Sequence, residues 1–345
     1  MPPHSRILQE IAAAGGWISF ARYMQLALHE PGIGYYAGGA RKFGPGGDFV
    51  TAPELGELFG RTLARQLREF DRVLEIGAGS GALADVLTRA LDCEYFILET
   101  SAELRERQRA RLGDRVRHLD RLPERLRGAV IANEVVDAMP VHVVHWTQQG
   151  IMERGVDAAL GWADRPAERD LLAAAEPIAV AAPYVSEIGL AARAWIRTLA
   201  ERLDGVAFII DYGFPAHEYY HPQRAMGTLM CHYRHQAHAD PFARPGEEDI
   251  TAHVDFSALA RAAHDAGAAV LGYATQAQFL VNCGITDVLA ETNAENALHY
   301  APIAAQAQKL LSPAEMGELF KVLAIGSADH APLLGFSRGE RSASL

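Results

Sequence analysis

The chain has 345 residues, 49% of them hydrophobic and 22% charged, with a formal net charge of −11. This composition suits a globular protein with a large core, and the acidic excess argues against a general nucleic-acid binder. Three cysteines, Cys93, Cys231 and Cys283, without CxxC spacing, argue against a disulfide framework, and no apolar run reaches the ~18 residues of a membrane span. The start, "MPPHSRILQEIAAAGG", lacks the basic-then-apolar layout of a secretory signal. The expectation is a cytoplasmic protein with neither nucleic acid nor membrane as a partner.

Residues 5–30 place Ile7, Leu8, Ile11, Phe20, Tyr23, Met24 and Leu26 at helical spacing, and Ser19 is positioned to cap the second helix. Residues 31–53 form a glycine-rich loop carrying Tyr35, Tyr36, Phe43 and Phe49, and long loops of this kind are often functional. From Arg72 the pattern becomes strand–helix alternation: "RVLEIG" then "GALADVLTRAL", "EYFILE" then "SAELRERQRARL", then "RVRHLD" and "GAVIANEV". Alternation of this type predicts a parallel sheet covered by helices on both faces. After Pro140 it breaks: "VHVVHW" and "GIMERGV" predict a hairpin, and residues 158–200 are Ala-rich and partly helical. "GVAFIIDYG", "AAVLGYA" and "FKVLAIG" read as further strands, with a helix at 255–267.

The loop Gly77-Ala78-Gly79-Ser80-Gly81 follows a strand and opens a helix, so its backbone can approach a nucleotide-like ligand closely. The helix N-terminus then offers N–H groups to an anionic ligand group. Glu75 selects among ligands. A carboxylate there repels a pyrophosphate and attracts the ammonium and sulfonium of S-adenosylmethionine (SAM). Glu99 ends the next strand, where a carboxylate accepts ribose hydroxyls. Its presence does not distinguish SAM from a dinucleotide.

The segments "PGIGYY", "GGDFVTAPELGELFG", "LEIGAGSGAL", "ANEVVDAMPV", "IDYG", "DITAHVDF", "TQAQFL" and "MGELFKVL" occur in that order. Together they resemble the MidA-like SAM-dependent methyltransferases over residues 5–336. The resemblance implies an α/β class I fold: a Rossmann-like, seven-stranded, mostly parallel sheet with helical N-terminal and inserted caps. It suggests a cap over 1–70, the first half of the SAM-binding core over 71–140, an inserted substrate cap over 141–200, and the second half over 201–345 with an insertion near 275–318. It also implies a protein-arginine methyltransferase activity. The substrate would be a protein such as a respiratory-complex subunit. A homodimer is the assembly carried forward as an expectation.

Arginine-directed transfer needs carboxylates, because a guanidinium with a pKa above ~12 must be clamped and must lose a proton. Glu134 and Asp137, three apart after a strand end, are expected on one side of a helical turn as catalytic groups, with Asp211 pointing into the same cleft. Asn133, Gly47, Asp48 and Thr51 are expected at the cofactor beside Glu75, Gly77, Gly79, Gly81 and Glu99; Glu54, Tyr212 and His253 are expected at the substrate. The stretch "MCHYRHQAH", with His217 and His221 nearby, fits none of the usual paired metal-ligand spacings, so no metal is expected. Three other readings stay open: a small-molecule or other-residue methyltransferase, a non-catalytic SAM-binding assembly chaperone, and an NAD-linked dehydrogenase.

Overall fold

The computed structural model describes residues 3–37, 51–234 and 236–345. Seven strands form the path of the central sheet: β1 (Arg72–Ile76), β2 (Glu94–Leu98), β3 (Arg117–Leu119), β4 (Leu126–Asn133), β5 (Leu203–Phe214), β6 (Ala269–Thr275) and β7 (Phe320–Gly326). Their spatial order is β6-β7-β5-β4-β1-β2-β3, and the two-residue strand Val254–Asp255 pairs off the end of β5, making eight strands where seven were expected. The neighbours from β5 to β3 are parallel; β7 runs antiparallel to both β5 and β6.

The burial pattern explains why these segments are strands. Val206 to Ile210 of β5 and Val322 to Gly326 of β7 are buried, the continuous apolar run of a sheet covered on both faces. One face is covered by helices Glu57–Leu67, Ala82–Ala90 and Gln276–Asn282, which bury Leu63, Leu83, Phe279 and Leu280 against Ile97, Ile131 and Phe208. Helices Leu190–Arg202 and Phe256–Asp265 cover the other through Ile196, Leu199, Phe256 and Leu259.

The predicted hairpin after Pro140 is present, with Val143 opposite Arg154. It belongs to a second, five-stranded antiparallel sheet that also recruits Trp17–Ser19, Trp162–Pro166 and Tyr184–Ile188. Helix Phe20–His29 buries Phe20, Tyr23, Met24, Leu26, Ala27 and Leu28, and Ser19 Oγ accepts from Arg22 N as expected. A third small sheet joins Gln236–His238, Met230–Tyr233 and Asp249–Thr251. Among the described residues no helix is long and apolar enough to cross a membrane.

Candidate active site

The glycine turn, the C-terminal ends of β1, β2 and β4, and the segment following residue 50 converge on one cleft. Its walls include Glu75, Gly77, Gly79, Glu99, Asn133, Glu134, Asp137, Thr51 and Glu54. It lies outside the carboxyl ends of parallel strands, the usual ligand position in open α/β sheets.

Gly77, Gly79 and Gly81 all adopt positive φ, at 69°, 53° and 77°. A Cβ on Gly77 would stand 2.9 Å from Val135 Cγ2. Gly81 caps helix Ala82–Ala90 and is not among the cleft walls. Gly77→Ala therefore combines a left-handed backbone penalty of ~1–2 kcal/mol with a clash against the chain segment carrying Glu134. Calorimetry with S-adenosylhomocysteine should show affinity lowered about tenfold or more.

Glu75 is 3% exposed and accepts from the Tyr95 hydroxyl at 2.7 Å. Burial pushes it up to about 7, helped by the nearby Glu99 charge and opposed by the Tyr95 bond. A cationic ligand reverses that shift, because it favours the charged carboxylate. SAM binding should thus release protons near neutrality, with affinity rising between about pH 6 and 8. Titration calorimetry in buffers of different ionisation enthalpy measures this directly; buffer-independent heats would contradict it. Glu99 Oε1 accepts from Ser101 N at 2.9 Å, and Oε2 accepts from Gln108 Nε2 at 3.2 Å. Gln108 also donates to the Gly79 carbonyl at 2.8 Å, tying the glycine turn to the acid.

Glu134 has φ 54°, an uncommon conformation for a non-glycine residue. This corrects the expected helical turn: residues 134–137 form a bend, and the left-handed Glu134 is what turns the chain into the cleft. Its N–H donates to the Ile210 carbonyl at 2.9 Å, anchoring the bend on β5. Its Oε1 accepts from Asn133 Nδ2 at 3.2 Å and Ala52 N at 3.3 Å. Burial, then the Asp137 charge, pushes its carboxyl up to about 8. Asp137 Oδ2 accepts from the Tyr212 hydroxyl at 2.6 Å, while Oδ1 is buried with no partner among the described residues, as is Asn133 Oδ1. Burial raises the Asp137 carboxyl above its ordinary range.

Asp211 does not reach the cleft. It is fully buried behind the bend, where Oδ2 accepts from Val136 N and Asp137 N at 2.9 and 3.2 Å, and Oδ1 accepts from Tyr212 N. It is placed to position the bend. Tyr212 acts on the cleft through Asp137, and His253 packs edge-on against Tyr212 and Phe214. Burial, then the charges of Arg224 and Lys321, pushes the His253 ring down to about 4, so it stands neutral at pH 7.

Thr51 lines the cleft but its side chain caps nothing, and Glu54 accepts from the Ser80 hydroxyl. Gly47 and Asp48 lie outside the described residues. The sequence reading missed Tyr36, His29, Tyr95 and Gln108. Tyr36 and His29 stack in the cleft wall, with ring centroids 5.5 Å apart. Gln108 had a signal: Leu104, Gln108 and Leu112 recur every four residues as the buried face of helix Ala102–Leu112.

A glycine cradle beneath a helix N-terminus, a buried Asn133 Oδ1 without a partner among the described residues, and a wall of carboxylates fit a cofactor bearing a carboxylate, an ammonium and a sulfonium. The strand order, the antiparallel β7 and this turn after β1 define a class I methyltransferase fold. The chain belongs to the MidA-like family of SAM-dependent methyltransferases, and residues 58–274 match a model of an S-adenosyl-L-methionine-dependent methyltransferase family. A Burkholderia thailandensis protein crystallised with S-adenosyl-homocysteine is 51% identical, with a TM-score of 0.95 over 99% of this chain and 96% of that one. The mitochondrial protein arginine methyltransferase NDUFAF7 of Mus musculus is 30% identical, across 99% of this chain and 87% of that protein. The Homo sapiens protein of the same name is 28% identical, across 94% and 83%. SAM is the cofactor of this chain.

Proposed function

We propose that this methyltransferase acts on the guanidinium nitrogen of an arginine in a protein substrate. One observation carries the reading. The described cleft walls hold five carboxylates, on Glu54, Glu75, Glu99, Glu134 and Asp137, and neither lysine nor arginine. Burying that much like charge is costly unless cations enter. The cofactor's ammonium and sulfonium satisfy the Glu75 side; the Glu134–Asp137 side is left for a cationic substrate. The name of the NDUFAF7 relatives supports the same substrate.

In this reading Gly77 and Gly79 cradle the cofactor, and the helix opening after Gly81 offers N–H groups to its carboxylate. Glu99 accepts the ribose hydroxyls, while Asn133 and Thr51 orient the remainder. Bound SAM supplies a methyl group already activated by its sulfonium. Glu134 and Asp137 grip the guanidinium fork, since paired charge-assisted bonds fix a planar cation. They aim one nitrogen along the line of displacement and accept the proton it loses as the new N–C bond forms. Tyr212 holds Asp137 from below, and Asp211 holds the bend. His29 and Tyr36, with Thr51, Pro53 and Glu54, wall one side of the cleft and keep water from it.

The test uses methyl-labelled SAM and three peptides identical except for one arginine, lysine or citrulline. Citrulline keeps the arginine shape without the charge. Transfer is expected to the arginine peptide, with citrulline unmodified and failing to compete. Competition by citrulline equal to that of arginine would overturn the cation-clamp reading.

A further inference from the structure

Cys231 and His238 are cross-strand partners in the three-stranded sheet, and Ile250 pairs with Cys231 from its other side. Glu248 lies just before the strand Asp249–Thr251, so it comes alongside both. Cys231 Sγ, a His238 ring nitrogen and a Glu248 carboxylate oxygen all lie within 4.8 Å of one another. We propose that Cys231, His238 and Glu248 bind one divalent cation of the zinc type, with solvent as fourth ligand.

The donor chemistry is thiolate, imidazole and carboxylate, the set zinc prefers. His238 Nε2 and Glu248 Oε2 are 3.0 Å apart. With metal–ligand bonds of ~2.0–2.1 Å, a tetrahedral edge is about 3.3 Å, so this pair need open by only a few tenths of an ångström. A second observation points to a missing ligand: Glu248 is fully buried, and its Oε1 has no hydrogen-bond partner among the described residues. A buried carboxylate oxygen left unpaired is costly.

The surrounding charge agrees. Burial and the charges of Glu248, Asp249 and Asp240 push the Cys231 thiol well above its ordinary value. Arg244 Nη1 stands 3.9 Å from Glu248 Oε2. A divalent cation displaces the thiol proton to solvent and leaves a neutral centre of one thiolate, one carboxylate and one M²⁺, which suits a buried position. The His238 side chain is 28% exposed, giving the ion an entrance and a site for water.

The position ties the ion to the methyltransferase. Asp249, the next residue after Glu248, accepts from the Tyr36 hydroxyl at 2.8 Å, and Tyr36 walls the cofactor cleft. An ion at this site fastens the sheet edge that supports that wall.

The test is a cobalt(II) titration of the tag-free chain, followed by zinc back-titration. A thiolate-to-cobalt charge-transfer band saturating at one ion per chain, bleached by zinc, is expected. It should persist in a Cys93→Ala, Cys283→Ala double variant and vanish in Cys231→Ser. His238→Ala, at a partly exposed position, guards against a misfolded Cys231 variant. It should melt like the parent without metal but weaken cobalt binding at least tenfold and abolish zinc's thermal stabilisation. Absence of the band in the parent chain, or unchanged cobalt affinity in His238→Ala, would overturn the proposal.

Discussion

Glu134→Gln is expected to lower methyl transfer by about a thousandfold, within the ~10²–10⁴ range for removal of a positioned acid–base group. The substitution keeps the size of the side chain and leaves an oxygen to accept from Ala52 N, as Glu134 Oε1 does at 3.3 Å. Affinity for the cofactor should therefore stay within a few fold. The stability effect has the opposite sign. The Glu134 carboxyl rises from 4.5 in the unfolded chain to about 8 in the fold. A group that holds its proton more tightly when folded contributes stability that is complete below about pH 4.5 and disappears as pH climbs through 8. Glutamine has no proton to lose, so the ligand-free variant should melt at least ~2 °C above the parent at pH 8 and close to it at pH 5. Turnover within tenfold of the parent would remove Glu134 from the chemistry. A variant less stable at pH 8 than its parent would contradict the assigned burial.

Asp137→Asn is expected to cost about a hundredfold in kcat/KM, because one half of the cation clamp loses its charge. The Asp137 charge is also a cause of the raised Glu134 carboxyl, second only to burial. Without it, Glu134 ionises at lower pH. The rising limb of the kcat/KM profile, which reports the free enzyme's base, should move to lower pH in the variant even as the plateau falls. A merely structural Asp137 would lower the plateau and leave the limb in place. The hydrogen bond from Tyr212 at 2.6 Å gives a control: Tyr212→Phe removes the tether but not the charge, so the limb should not fall with it.

The cofactor half of the site was legible because its spacing is local. Three glycines at alternate positions, a carboxylate two residues ahead and another at the end of the following strand report their neighbourhood through the chain alone. The substrate half was only partly legible, because it depends on contacts between distant segments. Nothing in "NEVVDAMP" shows that Glu134 will adopt a left-handed backbone. Its N–H bond goes to the Ile210 carbonyl on β5, a partner distant in the chain. Asp211 looked like a cleft residue from its place near a strand end, but β5 continues to Phe214. Its carboxylate therefore meets the amides of Val136 and Asp137 from behind. Tyr95 and His29 gave no signal, since each is paired across elements, with Glu75 and with the Ala138 carbonyl. The cysteine–histidine stretch is a case where chain spacing and strand register point differently. Ligand spacing along the chain argued against a metal, whereas strand register sets His238 beside Cys231, with Glu248 brought near from just before the neighbouring strand.

The most direct measurement for the central claim is incubation of the purified chain with methyl-labelled SAM and a protein extract, followed by complete acid hydrolysis and amino-acid analysis. Label is expected in methylated arginine, recovered from protein and lost with Glu134→Gln. Label confined to small molecules or to another residue type, or none above the Glu134→Gln background, would contradict it.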